Sequence, residues 1–111
     1  MKIVLAGATG FIGRALVKKL PRTIANIEDG KQVVRSSGSV GANYIEANES
    51  LSKKDFLMRI KIARKEAKES RMWLQLIDTG NNAECEKERV LLVQESTELM
   101  MILSAILRNS Q

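Results

Sequence analysis

The chain has 111 residues and a formal net charge of +5; 44% of its residues are hydrophobic, 28% charged and 4% aromatic. This length allows one domain with a modest core and excludes a nucleotide-binding domain joined to a substrate domain. The chain has no histidine and one cysteine, Cys85, which excludes a Ser-His or Cys-His nucleophile pair and an internal disulfide. A zinc site would lack its further Cys or His ligands. We expect no metal and no cofactor.

The same composition predicts where the protein works and how its charge is arranged. A lone cysteine suits a reducing, cytoplasmic location, and no run approaches the roughly 20 apolar residues of a membrane span. Residues 1–71 contain 15 Lys or Arg and 7 Asp or Glu, whereas residues 72–111 contain 3 and 6. One part of the protein is therefore basic and the other mildly acidic.

The opening, MKIVLAGATGFIG, places Gly7, Gly10 and Gly13 after a short apolar run and before the helix-like stretch RALVKKL. A glycine turn between a strand and a helix can hold a pyrophosphate. Over residues 1–20 the chain resembles the start of the extended short-chain dehydrogenase/epimerase family. That resemblance makes the three glycines candidate, though weak, cofactor-binding residues.

The rest of the chain does not continue that pattern. No second strand-helix-strand unit follows, and Tyr44 has Asn48 four residues on, where that family has a catalytic lysine. Glu28 and Asp29 lie at the expected distance for a ribose-binding acid, but on a helical stretch. We therefore predict that residues 1–16 are a tail or an irregular part of helix one, not a working dinucleotide site.

After Pro21 the spacing is helical. One face of a predicted second helix has residues three and four positions apart: Ile24, Ile27, Lys31, Val34, Gly38, Gly41 and Ile45. Its middle, RSSGSVGAN, could be a turn or a helix whose Gly38, Gly41 and Ala42 let another helix approach closely. We favour the helix because the spacing runs through the small residues without a break.

Two more helices follow a break near residues 48–52. Ser52, with Asp55 three residues later, predicts the start of a helix that continues to about Ile77. Its core stripe comprises Phe56, Ile60, Ala63, Ala67, Ser70, Leu74 and Ile77. TGNN at 79–82 stops it, and a last helix from about Glu84 turns Leu92, Leu99, Leu103 and Ile106 inward.

These elements predict an all-α fold. Three amphipathic helices need a fourth wall, and the segment from Phe11 to Leu20 can supply part of it. The prediction is an antiparallel four-helix bundle over residues 17–111, with a shortened or irregular first helix.

From Val17 to Arg108 the chain resembles the four-helix bundle family that includes proteins encoded in intervening sequences of bacterial large-subunit ribosomal RNA genes. The accessory protein of diversity-generating retroelements is a relative. The resemblance rests on residues 33–77, especially RSSGSVGAN, SKKDF and KEAKESRMWL. It implies a helical bundle and a homo-oligomer, a pentamer in the retroelement relative, whose basic surface engages nucleic acid and a reverse transcriptase.

The resemblance also marks polar positions. The matching residues are Arg35, Asn43 and Glu46 on helix two, and Lys53, Lys54, Lys65, Glu66, Glu69 and Trp73 on helix three. Asn43 and Glu46, three residues apart, would share a helix face and could be read as a catalytic pair. Without a histidine or a second nearby carboxylate we prefer a structural role for Arg35, Asn43, Glu46, Glu66 and Glu69.

Helix three carries the strongest charge pattern. At about 100° per residue, seven cations fall within one arc of roughly 120°, beside the core stripe. They are Lys53, Lys54, Lys61, Arg64, Lys65, Lys68 and Arg71. Three roles are open: solvated charges, a phosphate-binding stripe for nucleic acid, and contact with the acidic flank of a neighbouring subunit in a ring.

We therefore expect a non-catalytic, homo-oligomeric protein that binds structured RNA or DNA through helix three. With few aromatic residues, recognition would depend on shape and charge. The alternative is a protein–protein assembly or adaptor module without nucleic-acid binding, and a further one is a dinucleotide-binding remnant of an epimerase.

Overall fold

A computed structural model describes residues 13–111, which form four α-helices. The described part of α1 is residues 13–19; α2 is Ile24–Asn48, α3 is Lys53–Leu76 and α4 is Ala83–Ser110. No strand occurs within residues 13–111. The all-α prediction is confirmed, and α2 continues through RSSGSVGAN as one helix.

Neighbouring helices run antiparallel. Arg35 of α2 contacts Glu66 of α3, and eight residues further along α2 Asn43 contacts Arg59, so α3 runs back along α2. The contacts between α3 and α4 show the same inverse order. In α1, a Cβ at Gly13 would lie 3.4 Å from Val33 Cγ1, which places α1 against α2.

Polar side chains begin each of the three long helices. Thr23, Ser52 and Asn82 stand at the N-caps of α2, α3 and α4, and each side-chain oxygen accepts a hydrogen bond from a backbone N–H three residues later. These bonds satisfy amides that the helix itself leaves without partners. The start predicted from Ser52 and Asp55 is confirmed.

The core consists of two clusters of buried aliphatic side chains along the bundle axis. One contains Val40, Ala47, Ile60, Ala63, Ala67, Leu99, Leu103 and Leu107. The other contains Leu16, Leu20, Val33, Leu74, Ile77, Cys85 and Leu92. The predicted stripes of α3 and α4 face inward, with Phe56 and Ile106 packed at the edge of the first cluster.

The predicted stripe of α2 is wrong as a core face. Ile24 is 83% exposed and Ile45 is 64% exposed, and Lys31 and Gly38 are also exposed. The buried residues of α2 are instead Asn26, Gly30, Val33, Ser36, Ser37, Val40 and Ala47. Small polar side chains can face this core because helix carbonyls accept hydrogen bonds from their hydroxyls, as Ser37 does to Val33 at 2.6 Å.

Gly13 does not lie in a strand-to-helix turn. It is a buried residue of α1 packed against α2, and Leu16, three residues later, is completely buried in the second core cluster. The assignment of Gly13 to a pyrophosphate turn is therefore corrected: Gly13 is a buried helical residue at the contact between α1 and α2. Gly7 and Gly10 lie outside the described residues.

One end of the bundle is fastened by Asn26. Its side-chain N–H groups donate to the carbonyls of Pro21 and Asp78, both at 2.9 Å, and its oxygen accepts from the Asp78 amide at 2.9 Å. Gly80, with φ of 64°, lies so close to Pro21 that a Cβ would be 2.7 Å from its Cγ. The α1–α2 and α3–α4 turns are thereby held together.

α4 is long and apolar enough to cross a membrane by length and composition alone. This helix departs from the expectation that no run approaches a membrane span. Core helices of soluble proteins meet the same criterion, and α4 contributes Leu92, Leu99, Leu103 and Leu107 to the core.

Candidate nucleic-acid interface

Seven cationic side chains lie along the side of α3 that faces away from the core. Lys53, Lys54, Lys61, Lys65 and Lys68 are exposed, while Arg64 and Arg71 are half-buried. Within residues 13–111, none of the seven forms an ion pair; the described ion pairs use Lys19, Lys31, Arg35 and Arg89. The α3 basic face, defined by these seven residues, therefore keeps its full positive charge.

The two arginines of this face lean towards α4. Arg64 Nη1 donates to Ser104 Oγ at 3.4 Å, and Arg71 Nη1 donates to Thr97 Oγ1 at 3.4 Å. Both acceptors are neutral hydroxyls, so the contacts orient the guanidinium groups without cancelling their charge. The bonds are long, and most of the five N–H donors of each guanidinium remain for other partners.

On the opposite side of α3, towards α2, an arginine of the neighbouring helix contacts carboxylates rather than hydroxyls. Arg35 of α2 donates to Glu66 at 3.4 Å and to Glu69 at 3.1 Å, and its Nε donates to Gln32 at 2.9 Å. The Glu66 side chain is only 9% exposed. Arg35, Glu66 and Glu69 thus form an ion-pair network that joins α2 to α3.

Asn43 belongs to the same side. Its amide donates to the Ser39 carbonyl at 2.9 Å and the Ser39 hydroxyl at 3.0 Å, and its oxygen accepts from Arg59 at 3.3 Å. Glu46 is exposed on the outward side of α2. Asn43 therefore links two helices, whereas Glu46 does not join it in a shared pocket.

Aromatic rings are absent from the α3 basic face as far as the structure describes it. Tyr44 and Phe56 pack against the first core cluster, and Trp73 packs, half-buried, against the second. No ring at this surface is available for stacking on a base.

The described residues place no catalytic or metal-binding cluster beside the basic face. Across residues 13–111, no three His, Cys, Asp or Glu side chains come together to hold a metal ion. Hydrogen bonds from Arg89 and Thr79 lower the pKa of Glu86, and a hydrogen bond to Glu88 raises the pKa of Lys19. Both groups lie on other helices than α3.

α4 presents a second kind of surface. Val90, Leu91 and Met101 are 55%, 56% and 67% exposed. Scattered apolar side chains are normal on a protein surface, and α2 and α3 each expose three large ones as well.

The fold and this surface define an all-α protein of four antiparallel helices with one uncompensated basic face. The family profile of the 23S rRNA-intervening sequence proteins matches residues 11–105, and the chain belongs to that family. The match includes all of the described α1, so the family pattern extends further forward than the start at Val17 inferred from the sequence. These comparisons give no support to a dehydrogenase-like origin of residues 1–20.

The chain is also similar to a solved structure. This is a protein with unknown function from the S23 ribosomal protein family of Bacteroides thetaiotaomicron VPI-5482, determined at 1.70 Å. The two are 29% identical with a TM-score of 0.73, and the similarity covers 96% of this chain and 94% of the other. A search of curated proteins found no match. Neither match names a catalytic activity.

Helical periodicity identifies the seven cations but not the α4 side chains that contact two of them. Thr97 and Ser104 lie seven positions apart, as Arg64 and Arg71 do, and Arg108 follows one turn after Ser104. That equal spacing was the available signal. It becomes meaningful only once the antiparallel register of α3 and α4 is known.

Proposed function

We propose that this chain is a non-catalytic, homo-oligomeric helical-bundle protein that binds structured RNA or DNA through the α3 basic face. The observation that supports this best is the lack of carboxylate partners for its seven cations within the described residues. Arg35, on the α2 side of α3, does have such partners. Cations left without them suit an external polyanion.

The physical basis of binding is counterion release. Each phosphate neutralised by a Lys or Arg frees a condensed counterion, so affinity falls linearly with salt on logarithmic axes. Because no aromatic ring is exposed on this face, bases have no stacking platform there. Recognition would follow the arrangement of phosphates in a folded nucleic acid rather than its sequence.

Homo-oligomerisation is the second element of the proposal. The exposed Val90 and Leu91 of α4, which do not line the cleft between α3 and α4, support a protein contact. A pentamer is the state implied by the resemblance to the retroelement accessory protein. The alternative function, an assembly or adaptor module for another protein, would use this same apolar face and leave the cations to solvent.

The first test is fluorescence anisotropy of a labelled structured RNA titrated with the protein at several salt concentrations. Contact with about five phosphates predicts a slope of roughly −4 to −5 in log K against log salt for a duplex site. An absence of binding at low salt would contradict the proposed function and favour the adaptor alternative.

Charge reversal locates the site. The test variant changes four residues of the α3 basic face to glutamate: Lys61, Arg64, Lys65 and Lys68. The control variant changes one arginine and three lysines elsewhere on the exposed surface to glutamate: Lys18, Arg22, Lys31 and Lys87. Both have the same net charge. We expect the first to abolish binding and the second to retain most of it; equal losses would show a non-specific charge effect.

A further inference from the structure

We propose that the cleft between α3 and α4 is a phosphate-binding subsite for the nucleic-acid backbone. This rests on the proposed function and adds a location and a mode of contact. In it, the guanidinium groups of Arg64 and Arg71 bind backbone phosphate oxygens, and Thr97 and Ser104 hold those guanidinium groups in position. The subsite adds three residues of α4 to the α3 basic face: Thr97, Ser104 and Arg108.

The cleft has the right shape and charge. It has a volume of about 340 Å³ and is lined by Arg71, Thr97, Met100, Met101, Ser104 and Arg108. None of these six residues is acidic. Arg108 lies in the last turn of α4, one helical turn beyond Ser104, and supplies a third guanidinium at one end.

The two arginine–hydroxyl contacts are in register. Arg64 and Arg71 are seven positions apart on α3, and so are Thr97 and Ser104 on α4. Seven residues of helix rise about 10 Å, so the contacts repeat after about two turns along one line. Two guanidinium groups therefore lie about 10 Å apart along the cleft: Arg71 lines it, and Arg64 contacts Ser104, which also lines it.

The hydroxyl partners matter because they are neutral. A carboxylate would orient each guanidinium and also cancel its charge, as happens at Arg35. A hydroxyl limits the rotamers of the arginine and leaves its charge and remaining N–H groups for a phosphate. Planar guanidinium groups bind phosphate oxygens in pairs, which the exposed lysine ammonium groups do not.

The α3 basic face is thereby divided into two parts with different roles. The five lysines are exposed on flexible stems and attract the polyanion: Lys53, Lys54, Lys61, Lys65 and Lys68. Arg64 and Arg71, half-buried at the edge of α4, fix its position. The lysines contribute charge, and the arginines contribute geometry.

Two double variants on α3 separate these roles. Arg64→Gln with Arg71→Gln, and Lys61→Gln with Lys68→Gln, remove the same charge at the same spacing of seven residues. Binding of a labelled structured RNA is measured by anisotropy at fixed salt. We expect about tenfold or greater weakening for the arginine pair and about threefold for the lysine pair.

The outcomes distinguish the subsite from the proposed function. If the unaltered protein binds RNA and the arginine pair loses no more affinity than the lysine pair, the subsite is wrong and the proposed function stands. If the unaltered protein binds no nucleic acid, both are wrong. Circular-dichroism melting of each variant shows that it is folded.

A charge-neutral test uses the hydroxyls and the shape of the cation. Thr97→Val with Ser104→Ala keeps every charge, and we expect a loss of affinity of a few fold with an unchanged salt slope. Arg64→Lys with Arg71→Lys also keeps every charge, and we expect it to bind RNA more weakly than the unaltered protein does. Unaltered affinity in both variants would overturn the subsite, since charge alone would then account for binding.

Discussion

The two sides of α3 carry arginine contacts with opposite consequences. Towards α2, Arg35 reaches Glu66 and Glu69, so cation and carboxylates neutralise each other. Towards α4, Arg64 and Arg71 reach Ser104 and Thr97, so the cations are oriented and stay charged. A charged residue on a helix cannot be assigned to stability or to binding from its own identity. The residue that it meets on the next helix decides.

Among the arginine substitutions, removal of Arg35 should have the largest effect on stability. Arg35→Met leaves the carboxylate of Glu66, a side chain only 9% exposed, without its cation. We expect a loss of about 2 kcal/mol, seen as a decrease of roughly 8 °C in melting temperature. Lys31→Met is the control, because Lys31 is exposed and lies 4.0 Å from its partner Glu28. Equal melting temperatures for the two variants would remove the structural role of the α2 side.

Two glycines of α2 allow a similar comparison between a buried and an exposed position of one helix. A Cβ at Gly30 would lie 2.8 Å from Val17 Cγ1, so Gly30→Ala should cost about 1–3 kcal/mol of unfolding free energy. No atom lies within 4 Å of a Cβ at Gly38, so Gly38→Ala should stabilise the protein by roughly 0.5–1 kcal/mol. Urea unfolding measures both. Destabilisation by Gly38→Ala would mean that another chain packs on that face.

The α4 side should show the smallest effect on stability. Changing Arg64 and Arg71 to methionine breaks only two long hydrogen bonds to hydroxyls, and we expect less than about 0.5 kcal/mol of lost stability for each. A loss as large as that of Arg35→Met would show that both sides of α3 are structural. Urea unfolding under the conditions used for Arg35→Met makes the comparison direct.

Glu86 tests whether a carboxylate paired with an arginine stabilises the protein, as proposed for the partners of Arg35. Hydrogen bonds from Arg89 and Thr79 lower the pKa of Glu86 below its ordinary value of 4.5. A lowered pKa in the folded state contributes stability above that value, and this contribution is lost as the pH falls through the folded-state pKa. Glu86→Gln should therefore melt below the unaltered protein at pH 7, and the gap should narrow as the pH falls below 4.5 and through the folded-state pKa. A gap that persists in acid would contradict this, with exposed Glu49→Gln as control.

The sequence was sufficient for α3 and insufficient for α2, for a physical reason. The inward residues of α3 include Ile60 and Leu74, whose spacing identifies the buried face directly. The inward residues of α2 include Ser36 and Ser37, whose hydroxyls bond to the helix backbone and to Ser70, while Ile24 and Ile45 face outward. A count of apolar residues therefore selects the wrong side of α2.

The candidate site was predictable in part for a related reason. All seven cations of the α3 basic face follow from helical periodicity alone. Thr97 and Ser104 do not, because their importance depends on the antiparallel register with Arg64 and Arg71. Periodicity describes one helix at a time, and a cleft belongs to two.

In the proposed mode of binding, nucleic acid contacts the α4 side of α3 and not the α2 side. The most direct measurement is the NMR spectrum of arginine Nε–Hε groups, assigned by substitution, as a structured RNA is added. We predict large shift changes for Arg64 and Arg71 and none for Arg35, which its carboxylates already occupy. Changes at Arg35 with unaffected signals from Arg64 and Arg71 would contradict the assignment of roles to the two sides.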